Sequence, residues 1–146
     1  MSSPVALIAG YRPLRRLGSG ARCDVELGRD PGDGRLVALK VLRSAADADR
    51  FGAGVEALAA VRHPHLVALL DVGETDDGRG VAVLERLGPL SLATLLADRG
   101  ALTAGEAVTV LAPVAAAVQQ LHDAGVSHGA IGPAAVLFRA DGAPAL

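Results

Sequence analysis

Three short segments hold residue types that could do chemistry. Gly18-Ser19-Gly20 sits between two apolar runs, 14–17 and 25–27. Glycines let backbone N–H groups come close to a phosphate, although the same pair also suits a plain hairpin turn. Val37-Ala38-Leu39-Lys40 places a lysine inside an apolar run. A lysine there needs an anionic partner or ligand, unless its stem snorkels to water. The third segment, Gly125-Val126-Ser127-His128 followed by Gly129-Ala130-Ile131-Gly132-Pro133-Ala134-Ala135, offers only His128 as a titratable side chain. Cys23 lies just after the glycines, and a small residue fits a tight turn without being a reactive thiol.

The elements that must position these groups follow from pattern and punctuation. Strands are expected at 14–17 and 25–27 around the small-residue turn 18–23. Pro31-Gly32-Asp33-Gly34 marks a turn, and 36–42 reads as a buried strand. A helix is expected over 45–61, with Gly52 and Gly54 inside it and His63-Pro64 ending it. Strands are expected at 66–72 and 81–87, joined by a polar turn at 75–80, before the break at Gly88-Pro89. Beyond it Ser91 can cap a short helix that Gly100 ends. Thr103-Ala104-Gly105-Glu106 fits a capping box that opens a long helix to about residue 124, with Pro113 predicted to kink or split it. That helix is apolar on most sides: Val108, Val110, Leu111, Val114, Val118 and Leu121 stand among alanines. A strand at 136–138 and a turn at Asp141-Gly142 close the chain. Strands first and helices second make the fold class α+β.

Composition bounds the rest. The 146 residues suffice for a real core. Half the residues are apolar but only 2% are aromatic, so Ala, Val and Leu must do the packing. A net charge of −2 without a basic block argues against a nucleic-acid partner. The single cysteine cannot form an internal disulfide, which fits a reducing compartment. No apolar run is expected to reach the roughly 18 residues of a membrane span, and residues 1–10 lack the pattern of a signal peptide. A cytoplasmic location is the expectation.

The ordered set is more specific than any piece. Glycine-rich hairpin, Ala-x-Lys strand, helix, His63-Pro64-His65-Leu66-Val67, two strands, Gly-Pro break, two helices and Gly125-Val126-Ser127-His128 together resemble the protein kinase family, most closely its bacterial, actinobacterial-type Ser/Thr members. The resemblance covers about residues 11–146. It implies a leader at 1–10, a complete N-terminal lobe at 11–88 and the start of a truncated helical C-terminal lobe at 89–146. It also implies ATP as ligand. Gly18 and Gly20 would cover the phosphates, Lys40 would hold them, and Leu17, Val25 and Ala38 would line the adenine pocket. Leu84 would be the gatekeeper, and 85–87, from Glu85 to Leu87, the hinge.

The same resemblance exposes departures. The helix glutamate that pairs with the strand lysine falls at Gly54, and Glu56, two residues on, is rotated by about 200°. The pattern His-Arg-Asp-x-Lys-Pro-x-Asn becomes His128-Gly129-Ala130-Ile131-Gly132-Pro133-Ala134-Ala135. Ala130 replaces the catalytic aspartate, Gly132 the lysine and Ala135 the metal-binding asparagine. No catalytic residue and no metal ligand are therefore carried over, and Mg²⁺ binding is placed in doubt. His128 would brace the loop. The Asp-Phe-Gly motif would begin about two residues after Leu146, so a fragment or truncated product is expected. Three functions stay open: a pseudokinase with residual ATP binding and a regulatory or scaffolding role, an active Ser/Thr kinase represented by a fragment, and a small-molecule phosphotransferase of the kinase-like superfamily. The last is suggested by His128-Gly129. A generic α+β domain is the remaining alternative. The protein partner or substrate and the oligomeric state stay unassigned.

Overall fold

A computed structural model describes residues 6–146 and divides into two compact units. Of the expected leader, residues 1–5 lie outside the described residues.

The first unit takes in the chain up to Ala59 and the segment 68–86. Its five strands are β1 (Arg12–Ser19), β2 (Cys23–Arg29), β3 (Leu36–Leu42), β4 (Leu69–Glu74) and β5 (Gly80–Glu85). They form one antiparallel sheet in the order β1-β2-β3-β5-β4. Successive side chains of a strand point to opposite faces, and β3 shows the result. Val37, Leu39 and Val41 are buried with Val81 and Val83 of β5, whereas Lys40 is exposed. The segment before β1 covers this apolar face: Ile8, Ala9 and Tyr11 pack on it. A two-residue turn makes this possible, with Ala9 at φ +50° and Gly10 at φ +85° between the paired Ile8 and Tyr11. Alanine is strained there. Its methyl group rests where Gly73 has no side chain, since a Cβ on Gly73 would lie 2.7 Å from that of Ala9.

The expected helix 45–61 divides in two. Ser44 caps one 3-10 turn, Ala45–Asp47, through its hydroxyl, and α1 (Ala48–Ala60) follows. None of its residues is buried, so α1 is held by half-buried contacts such as Phe51 over Gly80. The expected strand 66–72 begins three residues later and runs to Glu74. Leu66 is claimed by the core of the second unit, and Val67 donates its N–H to the Leu146 carbonyl at 2.7 Å. The strand expected at 81–87 ends at Glu85, and Leu87 belongs to the second unit.

The second unit holds residues 60–67 and 87–146. Its helices are α2 (Leu92–Arg99) and α3 (Ala104–Asp123), followed by the two-residue strands β6 (Leu137–Phe138) and β7 (Pro144–Ala145). The expected caps are present. Ser91 accepts from the Thr94 N–H, Gly100 ends α2 at φ +80°, and Thr103 and Glu106 exchange both bonds of a capping box. The helix runs unbroken through Pro113, so the expected split does not occur. Thr109, whose carbonyl would have received the missing N–H, is exposed, and water can take its place.

Val110, Val114, Ala117 and Leu121 form one stripe of α3, packed with Val61, Leu66, Leu92, Val136, Phe138 and Leu146. By length and composition alone α3 is long and apolar enough to cross a membrane, which corrects the expectation of no such segment. Only the stripe just named is buried, and most of the helix surface is not. Away from that stripe α3 carries Val108 and Leu111, 66% and 50% exposed. Exposed apolar patches favour association. Light scattering is expected to show concentration-dependent self-association that a Val108→Lys, Leu111→Lys variant reduces.

The His63-Pro64-His65-Leu66-Val67 segment is tied to the end of the chain. The Arg139 guanidinium donates to the Pro64 and Leu66 carbonyls, each at 3.2 Å, and Leu146 N–H donates to the His65 carbonyl at 3.0 Å. At the break, Gly88 donates its N–H to the Phe138 carbonyl at 2.9 Å, and a Cβ on Gly88 would lie 2.6 Å from that same oxygen. Backbone cannot swing aside as a side-chain end can. Gly88→Ala is expected to destabilise the chain by about 1–3 kcal/mol in urea denaturation.

Candidate functional site

The register of the sheet decides which expected ligand-binding residues share a face. Lys40 lies opposite Val25 on β2 and Ala82 on β5; Ala38 lies opposite Leu27 and Leu84. Gly18 is the partner of Val25 on β1. Directly paired residues point the same way, so Gly18, Val25, Ala38, Lys40 and Leu84 fall on one face, opposite the buried valines. Leu17 is the extra residue of a bulge between Arg16 and Gly18 and is exposed. Glu85 pairs with Val37, so it falls on the other side of the alternation. Its carboxylate accepts the Ala68 N–H at 2.8 Å, and its own N–H is committed to the Ala68 carbonyl. Leu87 lies in the second unit.

Lys40 forms no ion pair among the described residues. The alternation gives the reason. Asp24 and Glu26, the carboxylates of the neighbouring strand, pair with Val41 and Leu39 and so point to the opposite face. Helix α1 has Gly54 where the family resemblance puts a glutamate, and the space beside its Cα is open. The Lys40 ammonium is left with its charge uncompensated by a carboxylate. Cys23 shares its face, and partial burial pushes the thiol pKa up, against a smaller opposing pull from Lys40. That leaves Cys23 as a protonated thiol packed at the start of β2.

The glycine-rich hairpin closes through Gly20 N–H to the Cys23 carbonyl at 2.8 Å. At its tip, the N–H groups of Ala21 and Arg22 donate no hydrogen bond among the described residues. Sequence reasoning missed what holds the hairpin. Arg43, the first residue after β3, reaches Gly20, Ser19 and Asp24, while Arg16 meets Asp24 at 3.7 Å and Glu26 at 3.1 Å. The Ser19 hydroxyl above all holds the Asp24 carboxyl below the usual carboxylate range; desolvation opposes it, and Arg43 and Arg16 add smaller pulls in the same direction as Ser19. The available signal was Arg43 standing at the strand end, one position past the apolar run.

In the second unit, the loop that follows α3 is ordered by local bonds. Gly125 turns the chain at φ +77° and Gly129 at φ +79°; Ala130 N–H donates to His128 Nδ1 at 3.3 Å. Ala135 N–H donates to the Gly132 carbonyl, and Pro133 and Val136 carbonyls receive the N–H groups of Ala93 and Leu92. The loop is thus tied to the start of α2. Its side chains at 130, 132 and 135 are methyl, hydrogen and methyl. None can accept a proton or ligate a cation.

A family profile described as the protein kinase domain matches residues 11–145. The chain belongs to the protein kinase family. This kinase domain is 35% identical over 140 residues to the serine/threonine-protein kinase pkn2 of Myxococcus xanthus, covering 91% of this chain and 17% of that protein. It is 34% identical over 137 residues to the serine/threonine-protein kinase PknF of Mycobacterium tuberculosis, covering 89% of this chain and 29% of that one. Both relatives are thus more than three times as long as the stretch this chain matches. Among solved structures, the PknI kinase domain of Mycobacterium tuberculosis superposes with a TM-score of 0.82 at 29% identity, covering all of this chain and 62% of that one. The α+β kinase fold expected from the motif order is therefore present.

Proposed function

We propose that this kinase domain is a pseudokinase: it retains ATP binding on the Lys40 face of its sheet and acts as a regulatory or scaffolding module, without phosphoryl transfer. The observation that carries the reading is the loop where Ala130, Gly132 and Ala135 occupy the positions of base, lysine and metal ligand. A positioned general base contributes roughly 10²–10⁴ in rate, and its loss comes together with that of the metal-binding side chain. The residues present fit a polyphosphate: among the described residues, a lysine without an ion pair on an apolar face and two N–H groups without an acceptor at a glycine-rich tip. They do not fit Mg²⁺, because the methyl groups of Ala130 and Ala135 and the hydrogen of Gly132 offer it no ligand. The setting we favour is cytoplasmic, where an unpaired Cys23 stays reduced.

The similarity to proteins named as Ser/Thr kinases favours a second reading, an active kinase transferring the γ-phosphate of ATP to protein Ser or Thr. One experiment separates the two: calorimetric titration with ATP, with and without Mg²⁺, alongside label transfer from γ-labelled ATP to a generic protein acceptor. Expected are binding that Mg²⁺ leaves unchanged and transfer no higher than a protein-free control. Transfer above that control would establish the active reading. A folded sample that binds no ATP at millimolar concentration would leave a scaffold without nucleotide.

A further inference from the structure

Arg43 reaches the glycine-rich hairpin from outside it, from the position just after β3. Its Nη1 donates to the Gly20 carbonyl at 3.0 Å and its Nη2 to the Ser19 hydroxyl at 3.2 Å, while its Nε lies 3.3 Å from the Asp24 carboxylate. Its own backbone N–H donates to the Arg22 carbonyl at 2.8 Å. One residue at the end of β3 therefore grips both limbs and the tip of the hairpin.

The grip on Gly20 has a geometric consequence. A trans peptide is planar, and its C=O and N–H point in opposite directions. Holding the Gly20 carbonyl toward Arg43 aims the N–H of the same peptide unit, that of Ala21, the other way. That N–H is one of the two at the tip with no acceptor among the described residues. Gly20 has the conformational freedom to let this plane rotate, so an external restraint is needed to keep it in one orientation. Were it to turn over, a carbonyl oxygen would face an incoming phosphate and repel it.

We propose that Arg43 is a positioning residue: by holding the Gly20 carbonyl it presents the Ala21 N–H to the phosphates of a bound nucleotide. The proposal rests on the nucleotide-binding reading above. Guanidinium shape matters in it, because a planar fork reaches three acceptors at once, whereas an ammonium carries the same charge without that geometry.

The test uses ATP as probe with the wild type, Arg43→Ala and Arg43→Lys, read by calorimetry and by the NMR shift of the Ala21 amide. Arg43 is exposed, so both variants should still fold, with only a small drop in thermal midpoint from the lost surface contacts. In the wild type, ATP should shift the Ala21 amide. In Arg43→Ala the affinity should fall about tenfold, the loss of one charge-assisted bond, and the Ala21 shift should vanish. Arg43→Lys should stay at least about threefold weaker than wild type. Unchanged affinity in Arg43→Ala, or an Ala21 shift that persists there, would overturn the proposal. So would full affinity in Arg43→Lys, which would reduce Arg43 to a point charge. A wild type that binds no ATP would overturn the nucleotide reading itself, a result distinct from binding that ignores Arg43.

Discussion

Lys40→Ala is expected to weaken ATP binding by about 10- to 100-fold, the worth of a charged hydrogen bond of roughly 1.5–3 kcal/mol. Three observations set that size. Lys40 stands on the face shared by Gly18, Val25, Ala38 and Leu84. It forms no ion pair among the described residues, so a phosphate would not have to displace a carboxylate. It is exposed, so its truncation removes a charge without opening the buried Val37-Leu39-Val41 row. Thermal stability should accordingly stay within about 0.5 kcal/mol of the parent. Lys40→Arg should recover part of the affinity by restoring charge. Calorimetry on all three proteins checks the set, and an unchanged affinity in Lys40→Ala would remove Lys40 from any ligand site.

The largest stability effect is expected at the neighbouring position. Leu39 is fully buried and packs with Val37, Val41, Val81 and Val83. Leu39→Ala should cost about 2–5 kcal/mol, combining lost transfer energy with a cavity. The sheet supplies an internal control. A Cβ on Gly28 would lie 2.6 Å from Leu39 Cδ1, so Gly28→Ala alone should also destabilise, by about 1–3 kcal/mol. With Leu39 shortened, that clash is gone and the added methyl enters the vacated space. The double variant should therefore be more stable than the sum of the two single losses predicts, by about 1 kcal/mol or more. Urea denaturation of the four proteins completes the cycle, and strict additivity would contradict the contact.

How much of this was legible beforehand depends on which physical signal governed each element. β3 was readable to the residue, because Pro31-Gly32-Asp33-Gly34 precedes it and a continuous apolar run defines it. Ser91, Gly100, Thr103 and Glu106 were readable because capping is chemistry between residues three or four apart. The start of β4 was not. Leu66 and Val67 look like strand residues, and only a partner some 80 positions away, Leu146, draws them out of the sheet. The α3 helix hid its continuity in the same way, because Pro113 breaks helices on propensity, and packing of Val110, Val114 and Leu121 overrides it.

For the site, strand alternation alone puts only Ala38 and Lys40 on one face of β3; the family resemblance named Gly18, Val25 and Leu84 beside them, and it is the ladder register that brings them to that face. That no described carboxylate pairs with Lys40 needed the register as well, since Asp24 and Glu26 are close in sequence to Val25 and yet point away. Arg43 escaped because its partners are peptide carbonyl, hydroxyl and carboxylate in a turn some twenty residues earlier, a pattern with no period.

The turn before β1 makes the protein report on itself. Tyr11 is the sole tyrosine, and the chain has no tryptophan. Its ring packs on the valine row of the first unit, its hydroxyl donates to Asp71 at 3.4 Å, and burial with the adjacent Asp71 charge raises its pKa. The tyrosine absorbance and fluorescence of this chain therefore originate in one unit alone. Optical unfolding curves follow the sheet, circular dichroism at 222 nm weighs the helices of both units, and any gap between the two midpoints measures their independence directly, without a label.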